Sequence, residues 1–192
     1  MKHYLRFIPN LISLIRISLV IPTVLNLLSG KYTFALVLFA IASISDAVDG
    51  FLARFFKWQT DLGKILDPVA DKLMIAVVLV LLVSDRGVLN ATLHSVVFVV
   101  VTAIIIGREI AISALREWMS EVGNRTRVAV NQLGKVKTTV QMIAITLLLY
   151  QQDFWFVPIF RTGELLLYAA AMLTLWSMVR YVRAAWPVLG RS

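Results

Sequence analysis

Apolar residues recur along the chain in six long runs, at about 10–29, 32–54, 65–84, 92–113, 138–152 and 163–182, with short polar or glycine-containing segments between them. A helix needs about 20 apolar residues to cross a hydrocarbon core of about 30 Å, and it satisfies its own backbone hydrogen bonds while doing so. Each run therefore predicts a transmembrane helix. The fifth has a short apolar core, but Lys135 and Lys137 at its start reach the interface along their own alkyl stems. The predicted fold is all-α, an integral membrane bundle of six transmembrane helices. The runs occupy so much of the 192 residues that no separate soluble domain fits, and no internal repeat divides the chain. Residues 1–192 are expected to form a single membrane domain.

Composition agrees with that pattern. Hydrophobic residues make up 59% and charged residues 16%, against about 45–50% and about 25% in a soluble domain. The first run follows Lys2 and Arg6 as a secretion signal would. It extends from Leu11 to Leu28, however, contains Arg16 and ends in Leu28-Ser29-Gly30 instead of a small-residue cleavage site, so a retained helix is expected.

Charge sets the orientation. With six helices, fifteen basic residues fall on one side (Lys2, Arg6, Arg54, Lys57, Lys64, Lys72, Arg108, Arg116, Arg125, Arg127, Lys135, Lys137, Arg180, Arg183 and Arg191). Only Lys31, Arg86 and Arg161 fall on the other, and Arg16 lies within the first run. That asymmetry predicts both termini in the cytoplasm. Trp58, Trp118 and Trp186 sit near the basic side and Trp155 near the other, as interface belts require. The net charge of +8 then faces membrane lipid headgroups or an anionic ligand, and no nucleic-acid partner is expected. Cysteine is absent and the only histidines are His3 and His94, which excludes disulfides, thiolate chemistry and a histidine metal cluster. A bound metal would have to be held by carboxylates.

Four carboxylates stand out. Asp46 and Asp49 are three residues apart and Asp67 and Asp71 four apart, so each pair shares one helix face. The first pair closes the second run and the second opens the third, which predicts a short cytoplasmic turn that lays the two pairs side by side. An aspartate facing lipid at mid-bilayer costs about 3 kcal/mol, so the four are expected to face a hydrated cavity. Their mutual repulsion is relieved by two divalent cations, and hard oxygen ligands suit Mg²⁺ or Mn²⁺. A two-metal carboxylate site serves phosphoryl displacement, because the ions neutralise charge on the entering and leaving oxygens. Gly50, Ala53 and Gly63 let a ligand approach the backbone closely, and Arg54 presents a planar fork to a diphosphate. Pro68 is expected in the first turn of its helix, where a missing N–H costs nothing.

The spacing D-x2-D-G-x2-A-R-x8-G-x3-D-x3-D, met without a gap from Asp46 to Asp71, resembles the signature of the CDP-alcohol phosphatidyltransferases. The resemblance implies a six-helix membrane enzyme that transfers a phosphatidyl or related group from a CDP-linked donor to an alcohol and releases CMP. It further implies that Asp46, Asp49 and Asp67 bind the metals, that Asp71 borders the metal site and acts as base, and that Gly50, Ala53 and Arg54 contact the CDP part. A homodimer in a bacterial inner membrane, with its active site at the cytoplasmic face, is the family expectation.

Outside the signature, the runs Arg108-Glu109-Ile110, Ser113 to Trp118 and Leu133 to Met142 are similar to the bacterial branch of that family whose acceptor is sn-glycerol 3-phosphate and whose donor is CDP-diacylglycerol. Asn10, Ser13 and Arg16 likewise resemble a polar stripe on the first helix of that branch and form a further candidate pocket. A dianionic acceptor needs cations, and Arg108, Arg116, Lys135 and Lys137 are the candidates. Glu109 and Glu117 are read as partners that orient the arginines, and Arg16 either pairs with Glu109 or another acid or meets the ligand directly. The competing readings are another acceptor (inositol phosphate, serine or phosphatidylglycerol), an Asp-rich prenyltransferase and a carboxylate-based cation transporter. Against the last stand the clustering of the carboxylates at one interface and the lack of two-half symmetry.

Overall fold

The structure is a computed structural model that describes residues 8–56, 61–122, 132–152 and 156–189, with all their side chains except those at 8–10, 47, 49–56, 61–65, 67–68, 71, 132–135 and 188–189. Regular structure among the described residues is helical: α1 Ile8–Leu28, α2 Tyr32–Phe56, α3 Asp61–Ser84, α4 Arg86–Ala91, α5 Ser95–Glu121, α6 Gln132–Tyr150 and α7 Ile159–Leu189. Each predicted run lies on a helix apart from one to three residues at an end of the first, fourth and fifth. The six-residue α4 was not predicted, because a single polar turn leaves no periodic signal.

Three helices hold windows long and apolar enough to cross a membrane, at Leu11–Leu28, Ser95–Glu121 and Ile159–Pro187. In α2, α3 and α6 the described residues include the apolar stretches Tyr32–Asp46, Lys72–Ser84 and Val136–Tyr150.

The helices also overrun the apolar runs, and that moves the carboxylates. α2 continues to Phe56 and α3 already begins at Asp61. Asp46 and Asp49 therefore stand about two to three turns before the end of α2, and Asp67 and Asp71 about two to three turns after the start of α3. The expectation that they flank a short turn is corrected: both pairs lie within helices. Pro68 likewise lies beyond the first turn of its helix. Hydropathy marks where a helix meets water, whereas a helix ends where capping or a breaker ends it.

The chain divides into two compact units, 1–85 with 149–152 and 86–148 with 153–192. In the first, α1 packs along both α2 and α3, and α2 touches α3. The buried face of α1 is Ser13, Arg16, Val20, Thr23 and Leu27, a spacing that alternates three and four residues as one helix stripe must. Its end is a Schellman cap. The Lys31 N–H bonds to the Asn26 carbonyl at 2.8 Å and the Gly30 N–H to that of Leu27 at 3.0 Å, while Gly30 takes φ +71°, where a side chain would be strained. This cap folds α2 back along α1, which brings Arg16 opposite Asp46. At the other end the Tyr32 hydroxyl donates to the Asp85 carboxylate and ties the start of α2 to the end of α3.

In the second unit α5 and α7 run parallel. The Leu93 N–H donates to both carboxylate oxygens of Glu164 at 3.1 Å near their N-terminal ends, and Met119 packs with Ala185 near their C-terminal ends. α6 runs the opposite way. Its later residues Ala144, Leu147 and Leu148 pack on Gly163 near the start of α7, while its early Lys137 pairs with Glu109 in the second half of α5.

Gly163 is a close-approach glycine. A Cβ there would stand 2.9 Å from the Leu147 Cβ, 3.0 Å from the Leu148 nitrogen and 3.1 Å from the Ala144 carbonyl oxygen. Small residues let membrane helices meet backbone to backbone in this way. Gly163→Val is expected to destabilise the protein by about 1–3 kcal/mol, read as a lower thermal midpoint in detergent. An unchanged midpoint would show that α6 and α7 do not depend on this contact.

Candidate active site

The first unit carries the carboxylate motif. Positions 46 and 49 lie on continuous helix in α2 and positions 67 and 71 on continuous helix in α3, so each pair keeps the one-face register that the spacing predicts. The side chains of Asp49, Gly50, Ala53, Arg54, Gly63, Asp67 and Asp71 lie outside the described ones, as does that of Asn10 on α1. Asp46 is the motif carboxylate whose surroundings are described. Its side chain is 46% exposed and forms an ion pair with Arg16, whose own side chain is 2% exposed. A guanidinium buried to that extent needs a counter-charge, and the Schellman-capped hairpin supplies it. Of the two alternatives for Arg16, pairing with an acid is what the structure contains, and Asp46 is such a partner. Ser13 is fully buried one turn earlier on the same stripe of α1.

The second unit carries the cations. Arg108 is 8% exposed and donates through Nη1 to Glu109 Oε1 at 3.1 Å and through Nη2 to Ser177 Oγ at 2.7 Å. Lys137 is 1% exposed, and its Nζ pairs with the same Glu109 oxygen. Arg116 is half-buried two turns further along α5, near enough that it and Arg108 both act on Lys137 electrostatically. Glu109 thus gathers two buried cations from two helices, a role for which its proximity to Arg108 was the only sequence signal. Arg108, Arg116, Lys137 and Glu109 carry a net charge of +2, which matches a phosphate monoester dianion. The side chain of Lys135, half a turn before Lys137, lies outside the described ones, and Arg125 and Arg127 lie outside the described residues altogether. Ser177 was not anticipated, because a lone serine on an apolar helix has no pattern around it.

One family model, that of the CDP-alcohol phosphatidyltransferases, matches residues 6–176. The chain belongs to the CDP-alcohol phosphatidyltransferase family. Among curated relatives, the proteins named CDP-diacylglycerol–glycerol-3-phosphate 3-phosphatidyltransferase from Salmonella choleraesuis strain SC-B67 and Salmonella typhimurium strain LT2 are each 43% identical to it. The protein of that name from Escherichia coli K12 is 42% identical. Each match spans 182 residues, 93% of this chain and 94% of the relative. The motif from Asp46 to Asp71 and the Arg108–Glu109–Lys137 network both lie within residues 6–176.

The donor set can be judged for fit to the divalent ions on which the family generally depends. Four carboxylates at positions 46, 49, 67 and 71 offer hard oxygen ligands without sulfur or imidazole, which is the chemistry Mg²⁺ and Mn²⁺ prefer. The half-exposed carboxylate of Asp46 is open to a further partner beside Arg16. The residues fit the ions.

Proposed function

We propose that this chain is a CDP-diacylglycerol–glycerol-3-phosphate 3-phosphatidyltransferase. It transfers the phosphatidyl group of CDP-diacylglycerol to the 1-hydroxyl of sn-glycerol 3-phosphate, giving phosphatidylglycerol phosphate and CMP. The observation that carries the reading is identity of 42–43% to enzymes of that name over 93% of the chain. The buried cations of net charge +2 on α5 and α6 add to it, since an uncharged acceptor would not require them.

Asp46, Asp49, Asp67 and Asp71 hold two Mg²⁺ or Mn²⁺ ions, which when bound neutralise charge on the entering and leaving oxygens. Arg54 grips the donor diphosphate, and Gly50, Ala53 and Gly63 leave room for the cytidine. Arg108, Arg116, Lys135 and Lys137 hold the acceptor phosphate, with Asn10, Ser13 and Arg16 supporting the carboxylates from α1. Asp71 takes the proton of the acceptor 1-hydroxyl as its oxygen attacks the β-phosphorus. The new oxygen–phosphorus bond forms while the bond to CMP breaks, and CMP leaves with the electron pair. A covalent enzyme intermediate has no support. The hydroxyls of Ser45 and Ser113 donate to the carbonyls of Ile41 at 2.7 Å and Glu109 at 2.6 Å, and among the described residues neither is hydrogen-bonded to a histidine.

The membrane arrangement proposed with this chemistry is six spans, both termini and the active site on the cytoplasmic side of a bacterial inner membrane, and a homodimer of single-domain subunits. Helices α2, α3 and α6, of 25, 24 and 19 residues, reach about 28–37 Å at 1.5 Å per residue, enough to span. The fifteen-to-three distribution of basic residues supports the orientation.

Purified protein offered labelled CDP-diacylglycerol with glycerol 3-phosphate, serine, inositol phosphate or phosphatidylglycerol should form a new lipid with glycerol 3-phosphate alone. Product with another acceptor and none with glycerol 3-phosphate would overturn the assignment. Lys135→Ala should raise the KM for glycerol 3-phosphate about tenfold or more with little change in the KM for the lipid donor. An effect confined to the donor would remove Lys135 from the acceptor site. Lys137 is a poorer probe, because its pairing with Glu109 makes its removal a structural change as well.

A further inference from the structure

Below the Arg108–Glu109–Lys137 network, the second unit buries polar groups that the network does not use. Gln141 is 1% exposed, and its Oε1 accepts no hydrogen bond from the described residues. Thr174 is fully buried and Thr102 is 3% exposed, and the hydroxyl of each lacks a partner among the described residues. This departs from what helical hydroxyls do elsewhere in the protein. Thr23, Thr146 and Thr162 each donate back to the carbonyl four residues earlier, at 2.8–3.0 Å. An unpaired buried polar atom costs about 1–3 kcal/mol, so three of them from three helices call for a polar occupant.

Their placement is shared. Gln141 follows Lys137 by one turn of α6, Thr174 precedes Ser177 by one turn of α7, and Thr102 precedes Glu109 by two turns of α5. α5 and α7 are parallel and α6 is antiparallel to both. All three displacements therefore run toward the same end of the unit, the end at which Leu93, Leu148, Gly163 and Glu164 meet. By helix rise, Thr174 lies about 4–5 Å, Gln141 about 6 Å and Thr102 about 10 Å beyond the cations. The carbinol carbons of a small polyol phosphate extend about 3–5 Å from its phosphorus, the reach of the first two.

We propose that Gln141 and Thr174 form the inner wall of the acceptor site and bind the free secondary hydroxyl of the acceptor, so that α6 and α7 select a polyol phosphate over an alkyl phosphate of equal charge. This rests on the reading of glycerol 3-phosphate as acceptor. The hydroxyl donates its proton to Gln141 Oε1 and accepts from the Thr174 hydroxyl, which fills both open valences. Thr102 continues the polar strip one turn further. The division of labour is physical: Arg108, Arg116 and Lys137 answer to charge, which any phosphate monoester carries, whereas an amide and a hydroxyl held in a dry wall answer to a hydroxyl. A site built to pair a substrate hydroxyl rejects the analogue that lacks it, because its own polar groups are then left unpaired.

The test compares sn-glycerol 3-phosphate with 3-hydroxypropyl phosphate, which has the same charge and the same primary hydroxyl but no secondary one. Full-length protein in detergent–lipid micelles should prefer glycerol 3-phosphate in kcat/KM by at least about tenfold. Gln141→Met and Thr174→Val should each lower kcat/KM for glycerol 3-phosphate while leaving 3-hydroxypropyl phosphate nearly unchanged, shrinking the preference to about threefold or less. A merely structural role would lower both acceptors together. Equal use of the two acceptors by the unaltered protein would overturn the proposal whether or not the variants fold, and so would full preference retained in both variants. Failure of the underlying reading has a different signature, since the unaltered protein would then form no lipid from glycerol 3-phosphate at all.

Discussion

Replacing Asp71 with Asn should lower CMP release by about 10³-fold while CDP-diacylglycerol binding persists. The substitution keeps size and leaves one oxygen able to reach a cation, but it removes the basic oxygen proposed to take the acceptor proton. A positioned general base contributes about 10²–10⁴-fold. Position 71 lies one helical turn after position 67 on α3, so the two share a face, and Asp67→Asn should differ by weakening divalent-ion binding as well. Divalent ions held by the proposed carboxylates would weaken Asp71 as a base and would supply charge stabilisation to the acceptor oxygen, so a weak base would suffice. The check is CMP release alongside equilibrium binding of the donor. Turnover by Asp71→Asn within about tenfold of the unaltered protein would take Asp71 out of the proton transfer.

Glu109→Gln should produce the largest loss of stability. Glu109 accepts from both Arg108 and Lys137, which are 8% and 1% exposed, and Gln in its place leaves two buried cations close together without that counter-charge. Removing one partner of a buried ion pair costs about 3–5 kcal/mol, on the order of 10 °C in the thermal midpoint of a chain of this size. Lys137→Met in the same background should restore part of the loss, because the two substitutions act on one interaction and are not additive. Additive losses in this cycle would show that Glu109 and Lys137 do not depend on one another. Activity is expected to fall in Glu109→Gln too, since the network also sets the position of Arg108.

The sequence was most legible where one physical constraint acts alone. A bilayer demands long apolar helices, and each run falls mainly on a helix; three of these helices hold windows long and apolar enough to span among the described residues. The carboxylate motif was legible for the same reason: three- and four-residue spacings have a geometric meaning only on a helix, and the backbone at 46–49 and 67–71 is helical. Helix ends were not legible from hydropathy, which is why Asp46 and Asp71 were expected beside a turn and lie about three turns inside α2 and α3. Partner choice was legible only in part. Arg16 was expected to pair with an acid, but its pairing with Asp46 depends on the Gly30 cap that folds α2 along α1. The pairing of Lys137 with Glu109 and of Arg108 with Ser177 depends on which helices run parallel, a property of tertiary packing that no local pattern encodes.

Phosphatidyl transfer fixes a stoichiometry between lipid product and CMP. Purified protein in micelles with CDP-diacylglycerol and radiolabelled sn-glycerol 3-phosphate should place one label in the chloroform-soluble product for each CMP released, and release almost no CMP when the acceptor is omitted. Equal CMP release with and without the acceptor, and no label in lipid, would identify a hydrolase and contradict the account.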